Sequence, residues 1–228
     1  MKLDKIANPN LVPAASRFVA SLPALGEETR NMLVLEIPGT DLVTLKAAID
    51  GTHYDDVEQL EANVYAFSAN SWDDVEPLGG ILPAPATNIF HFPNNMSVIV
   101  QELFKDAFDN KTATISIPAQ ILYINQRAFQ GCRFGMVVIA SSVQSLTLGV
   151  DAFQPKSGYE GAGDFALGRR TYLINQGSLQ RRGTIHLAAN QDVQGWAANT
   201  FLYCFDVQYE GESTAAPWGA YRLNGKLV

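Results

Sequence analysis

The stretch Ile115 to Cys132, ISIPAQILYINQRAFQGC, is a short apolar strand, a turn, an aliphatic ridge and then Ala-Phe with a cysteine three places on. The pattern returns between Asn88 and Tyr209, and internal repetition constrains architecture before it says anything about chemistry. The strand cores are Phe90-His91-Phe92, Ile115-Ser116-Ile117, Val137-Val138-Ile139, Phe165-Ala166-Leu167 and Ile185-His186-Leu187. Each is followed by a small-plus-aromatic pair or a relative of one: Ala107-Phe108, Ala128-Phe129, Ala152-Phe153, Ser178-Leu179 and Thr200-Phe201. The fourth unit is degenerate at that pair, yet LGRRTYLINQGSLQRR follows IPAQILYINQRAFQGC position for position, with Ile-Asn-Gln at 124–126 and again at 174–176. Strand-to-strand steps are 25, 22, 28 and 20 residues, the long one carrying the insertion PKSGYEGAG.

Steps of this size predict a solenoid, in which each unit is too small to bury its own apolar side and must stack on its neighbours. Within each strand the flanking apolar residues point one way and the middle residue the other. Ala-Phe then supplies a small residue for close approach and a ring to fill the turn, which predicts Phe108, Phe129 and Phe153 in one column. Phe205-Asp206-Val207 makes a sixth strand, followed by a cap.

These residues resemble the BspA-like leucine-rich repeat, whose unit runs roughly I-x-IP-x-x-V-x-x-I-x-x-x-AF-x-x-C. Ile115 to Cys132 fits it almost throughout, and IASSVQSLTLGVDAF fits with a two-residue insertion. The likeness covers about residues 88–209. The end of the chain, Cys204 to Val228, is similar to the tails of short repeat proteins of bacteriophages and prophages, in which an acidic stretch leads to A-P-W-G-A and a final strand. Ala216-Pro217-Trp218-Gly219-Ala220 stands intact here. The resemblance implies an α/β, mostly β fold: a short leucine-rich-repeat solenoid with a parallel sheet, preceded by a small mixed α/β region. It implies a structural protein on a virion or a cell surface that binds a partner.

Residues 1–86 read differently, as an α/β capping or attachment region ahead of the repeats at 87–209 and a C-terminal cap at 210–228. AASRFVASL after Pro13 is a short helix candidate. Asn31 to Leu35 reads as a strand, and TDLVTLKAAIDG as a helix with Thr40 or Asp41 as N-cap and Gly51 as stop. LEIPGTDLVTLKAAI is read as a worn extra copy of the repeat or as a helical cap. Asp55, Asp56, Glu58 and Glu61 make a solvated acidic face, and LGGILPAPAT marks the boundary.

Composition narrows the partners. The net charge of −7 argues against nucleic acid, whose phosphates want a basic face. The opening MKLDKIANPN does not look like a secretory leader, and no window approaches the ~20 apolar residues of a membrane helix. Two cysteines are too few for a disulfide scaffold. Cys132 and Cys204 stand at like places three turns apart, about 14 Å at the strand spacing, beyond the ~7 Å a disulfide spans. Both are expected to be buried free thiols.

Candidate sites follow from the same geometry. The outward row His91, Ser116, Val138, Ala166, His186 and Asp206 defines a sheet face suited to docking. Along it His91 and His186 are too far apart to share a metal, and Ser116 is too far from His186 for a nucleophile–base pair. His186 and Asp206 sit on adjacent turns and are expected to form a surface ion pair. Arg169, Arg170, Arg181 and Arg182 are four of nine arginines within 14 residues, a cluster that asks for an acidic surface, a phosphate or an acidic glycan. The insertion 154–163, with Tyr159, is a second contact candidate. No phosphate-binding glycine loop and no acid/base couple is present, so neither cofactor nor catalysis is expected.

The sequence therefore predicts a non-enzymatic binding protein of a phage or prophage virion. Its partners would be other virion subunits or a host surface protein or glycan, with oligomerisation through Trp72, Trp196 and Trp218. The alternatives are a bacterial cell-surface adhesin or host-interaction protein of the same fold, and an enzyme that uses the repeats as a substrate handle.

Overall fold

The computed structural model describes residues 26–139, 146–156, 158, 164–166, 171–173, 184–187, 206–209, 222–223 and 226–227. The chain is mostly strand with few helices, and its sheets are mixed. The candidate helix at 14–22 lies outside the described residues.

The first sheet is antiparallel and built from β1 (Leu33–Glu36), β2 (Asp56–Glu61), β3 (Val64–Ser68) and β4 (Asn88–His91) in the order β2-β3-β1-β4. Helix α1 (Leu42–Ala48) follows β1, and the Asp41 side chain accepts a 2.8 Å hydrogen bond from the Thr44 amide at its N-terminus. That bond, made to the ionised carboxyl, holds Asp41 below the usual carboxylate range. Gly51 at φ +75° ends the segment in the left-handed region that favours glycine. In β2 only Val57 is buried, and Asp55, Asp56, Glu58 and Glu61 are exposed, so the acidic run is a solvated face.

Helix α2 is a single turn (Leu78–Ile81) laid against the chain at Leu103, whose carbonyl accepts from the Leu78 amide at 2.8 Å. From there the strands alternate between two further sheets. The larger holds β6 (Asp109–Ile117), β8 (Arg133–Ile139), β10 (Asp164–Ala166), β12 (Thr184–Leu187), β13 (Asp206–Tyr209), β14 (Arg222–Leu223) and β15 (Lys226–Leu227) as consecutive neighbours. It is parallel up to β14, and β15 closes it antiparallel. The smaller holds β5 (Val98–Ile99), β7 (Tyr123–Ile124), β9 (Leu146–Leu148) and β11 (Thr171–Leu173), all parallel.

Alternation sets the core. In β6 Ile115 and Ile117 are buried while Ser116 is exposed, and in β9 Leu146 and Leu148 are buried on either side of Thr147. Between the sheets the turns stack. Phe129 lies 4.8 Å from Phe104 and 4.8 Å from Phe153, with interplanar angles of 18° and 4°. Each ring is 0 % exposed. Backbone bonds repeat the same step: the Phe104 amide donates to Ala128 at 2.8 Å and the Phe129 amide to Ala152 at 2.7 Å. A single apolar cluster runs from Leu33 in the first sheet to Leu187 in β12.

Two sequence expectations need correction. Phe90-His91-Phe92 is not the first of the parallel strands. β4 fills the open edge of β1, antiparallel, with Leu35 opposite Ile89, because that edge would otherwise leave a row of unpaired backbone groups. The first ring of the column is Phe104, not Phe108. Phe108 belongs to a second pair with Phe134 at 5.5 Å, so Leu103 takes the position that alanine fills at 128 and 152.

The stacked turns leave no room at Gly149, where a Cβ would meet the Gln126 amide nitrogen at 2.6 Å. Gly149→Ala is therefore expected to lower stability by about 1–3 kcal/mol, the usual range for forcing an extra carbon into a packed site. Urea unfolding measures it, and an unchanged midpoint would contradict this packing.

Candidate functional site

The larger parallel sheet brings Ser116, Val138, Ala166 and His186 into one row, each in register with the next. Ser116 is exposed, and Val138 and His186 are half-buried. Three strand steps separate Ser116 from His186. The row continues to Gln208, not Asp206: His186 pairs with Gln208 in register, and Asp206 stands opposite Thr184. Strand β13 begins at Asp206, so the apolar triplet centred on that residue is two positions out of register.

His91 lies outside the row, on the antiparallel sheet. Its Nε2 donates to the Arg30 carbonyl at 2.9 Å, tying β4 to the short 3-10 turn Thr29–Asn31. Four arginines, Arg169, Arg170, Arg181 and Arg182, lie outside the described residues, as do Tyr159 and Cys204. Cys132 is fully buried, and its Sγ donates to the Phe104 carbonyl at 2.8 Å. Trp72 is 4 % exposed and buried by its own chain.

Charged side chains gather on the turns. Glu102, Arg127 and Asp151 occupy successive turns with φ of 63°, 58° and 54°. The Glu102 carboxylate pairs with Lys105 at 3.3 Å and with Arg127 at 3.4 Å, and Arg133 pairs with Asp109. Such half-exposed pairs contribute at most about 1 kcal/mol each.

A cleft that the sequence did not suggest opens beside β5, the edge strand of the smaller sheet. It holds about 200 Å³ and is lined by Asn70, Ser71, Asp73, Asn95, Ser97 and Val98, over a floor of Trp72 and Met96. Trp72 Nε1 donates to Asn95 Oδ1 at 3.1 Å, pinning the two walls together. On one wall Asn70 Nδ2 donates to Asp55 at 2.7 Å, and the Asp73 amide donates to Ser71 Oγ at 3.3 Å. On the other, the Ser97 carbonyl accepts from the Leu122 amide at 2.7 Å. Val98 is in register with Tyr123, which is 50 % exposed. The walls come from segments more than twenty residues apart in the sequence.

Beneath that floor Tyr54 donates to the Glu76 carbonyl at 2.9 Å, and its ring meets Trp72 edge-on at 6.3 Å. Burial pushes the Tyr54 phenol well above its ordinary value, with the Glu76 charge adding to it. Among the described residues no group of three His, Cys, Asp or Glu is placed to hold a metal ion, and no helix is long and apolar enough to cross a membrane. The chain matches no protein-family model, no curated protein and no solved structure.

The buried thiol gives a direct check on the turn packing. In a Cys204→Ser background, Cys132 is expected to resist a thiol-specific chromogenic reagent until denaturant unfolds the chain. Immediate stoichiometric reaction in buffer would contradict its place under Phe104.

Proposed function

We propose that the chain is a non-enzymatic binding protein of a phage or prophage virion, built on a short leucine-rich-repeat solenoid. The observation that carries the solenoid reading is the register across the larger sheet. Successive strands place Ser116, Val138, Ala166 and His186 side by side on one face. Their neighbours Ile115, Val137 and Ile185 are buried on the other. A face of this kind grows by one row per turn and suits extended contact with a partner. The residues of the row are mixed in character, Ser116 and His186 polar and Val138 and Ala166 apolar.

The virion assignment is supported by the tail, where the intact Ala216-Pro217-Trp218-Gly219-Ala220 and the acidic residues before it resemble those of phage-encoded repeat proteins. Residues 1–86 would then cap the first turn or attach the protein to the particle. The partner would be another virion subunit or a host surface protein or glycan, and the arginine cluster is the part of the chain with most affinity for an acidic one.

Mass spectrometry of purified particles from an induced host that carries the gene tests the reading. The expected result is the chain in the particles at a fixed ratio to the major capsid protein. Replacing Arg169, Arg170, Arg181 and Arg182 with serine should release it into the soluble fraction without changing its melting temperature. Absence of the wild-type chain from particles, with capsid and tail proteins all detected, would overturn the assignment.

A further inference from the structure

We propose that the cleft beside β5 is a binding site for a neutral glycan, which takes one sugar ring between its walls and continues over Tyr123. The proposal rests on the reading of the protein as a surface-recognition molecule and names the ligand for it.

The first argument is hydrogen-bonding capacity. A sugar presents hydroxyls that both donate and accept, and it is held best by side chains of mixed character. Asn70, Ser71, Asp73, Asn95 and Ser97 line the cleft. Carboxamides and hydroxyls offer both donors and acceptors, and a carboxylate accepts at two oxygens. The bonds that fix the walls use only part of this capacity. Asn95 gives its Oδ1 to Trp72 and Asn70 one amide hydrogen to Asp55, which leaves the Asn95 amide group and the Asn70 carbonyl oxygen for a ligand. The polar groups are thus oriented before anything binds, which lowers the ordering cost of binding.

Charge narrows the class. Asp73 is the one ionisable residue of the lining, and no lysine or arginine accompanies it. A phosphate, sulfate or uronate entering the cleft would meet a carboxylate with no cation to offset it. The site therefore selects against the acidic ligands that the arginine cluster would take. It also lacks the apolar anchor pocket on which peptide recognition depends, because Trp72 and Met96 are buried at 4 % and 1 % exposure.

Size and surroundings supply the rest. At about 200 Å³ the cleft is smaller than the ~300 Å³ at which small-molecule pockets begin. Its occupant must therefore extend outside, as the end or branch of a polysaccharide does. Val98, at the rim, stands in register with Tyr123 on the next strand. With half of its surface free, the Tyr123 ring offers an apolar face with a polar tip, suited to the C–H face of a second sugar.

Affinity electrophoresis of the full chain tests this, using gels that contain soluble glucan, mannan, galactan or chitosaccharide, with polygalacturonate as the acidic control. At least one neutral polymer should retard the chain. Asp73→Ala should weaken that retardation about tenfold or more, and Tyr123→Ala about threefold. Both residues are exposed, and an unchanged melting temperature shows that each variant is folded. Retardation by no neutral polymer would overturn the proposal, as would retardation that survives both substitutions. Retardation by polygalacturonate alone, abolished by replacing the four arginines with serine, would overturn it as well. If the chain is found in particles yet no neutral polymer retards it, the cleft assignment fails and the virion reading stands.

Discussion

Contact between successive turns is the interaction on which the described structure depends. Phe104, Phe129 and Phe153 stack ring on ring at 4.8 Å, the spacing of neighbouring strands in a sheet. Because the two spacings agree, one translation satisfies the rings, the strand ladders and the turn hydrogen bonds together. Phe92, Phe108 and Phe134 pack against the flanks of this column, so the burial of each ring depends on residues from more than one turn. The Cys132 thiol and the missing Cβ of Gly149 serve the same end, since both let backbone approach backbone.

The ends of such a stack need separate treatment, because an uncovered end exposes both apolar rings and unpaired strand edges. At the start, α2 lies on the turn at Leu103 through its backbone bond, and Ala86 bridges Phe108 in parallel. The antiparallel sheet continues the same apolar cluster through Leu33, Leu35 and Phe67. At the far end β15 folds back on β14, so the last neighbour in the larger sheet is antiparallel. The cleft arises at the first of these junctions, where the loop after β3 meets the loop before β5 and Trp72 is held between them.

Much of this was legible locally. Asp41 and Gly51 marked the ends of α1 through capping chemistry. The alternation Ile115-Ser116-Ile117 gave both the inward pair and the outward residue. Matching triplets across units gave the true register from Ser116 to His186. What escaped was long-range or short of a full period. Strands of two residues, such as Val98–Ile99 and Tyr123–Ile124, cannot display alternation, so the smaller sheet read as an aliphatic ridge. Ala107-Phe108 copies the later Ala-Phe pairs in letters, yet the ring four residues earlier enters the column, because Leu103 fills the place of the alanine. β4 looks like a rung but is claimed by an edge that nothing near it in sequence announces. The cleft joins residues 70–73 to 95–98, and no local pattern encodes that meeting.

The central claim is that Phe104, Phe129 and Phe153 form one column, and a double-mutant cycle in urea tests it most directly. Alanine substitutions at Phe104 and Phe129 should show a coupling energy of about 0.5–1.5 kcal/mol, as stacked rings do. The pair Phe108 and Phe153, which share no ring contact in the structure, should combine additively within about 0.5 kcal/mol. Additivity at Phe104 and Phe129 together with strong coupling between Phe108 and Phe153 would contradict the account.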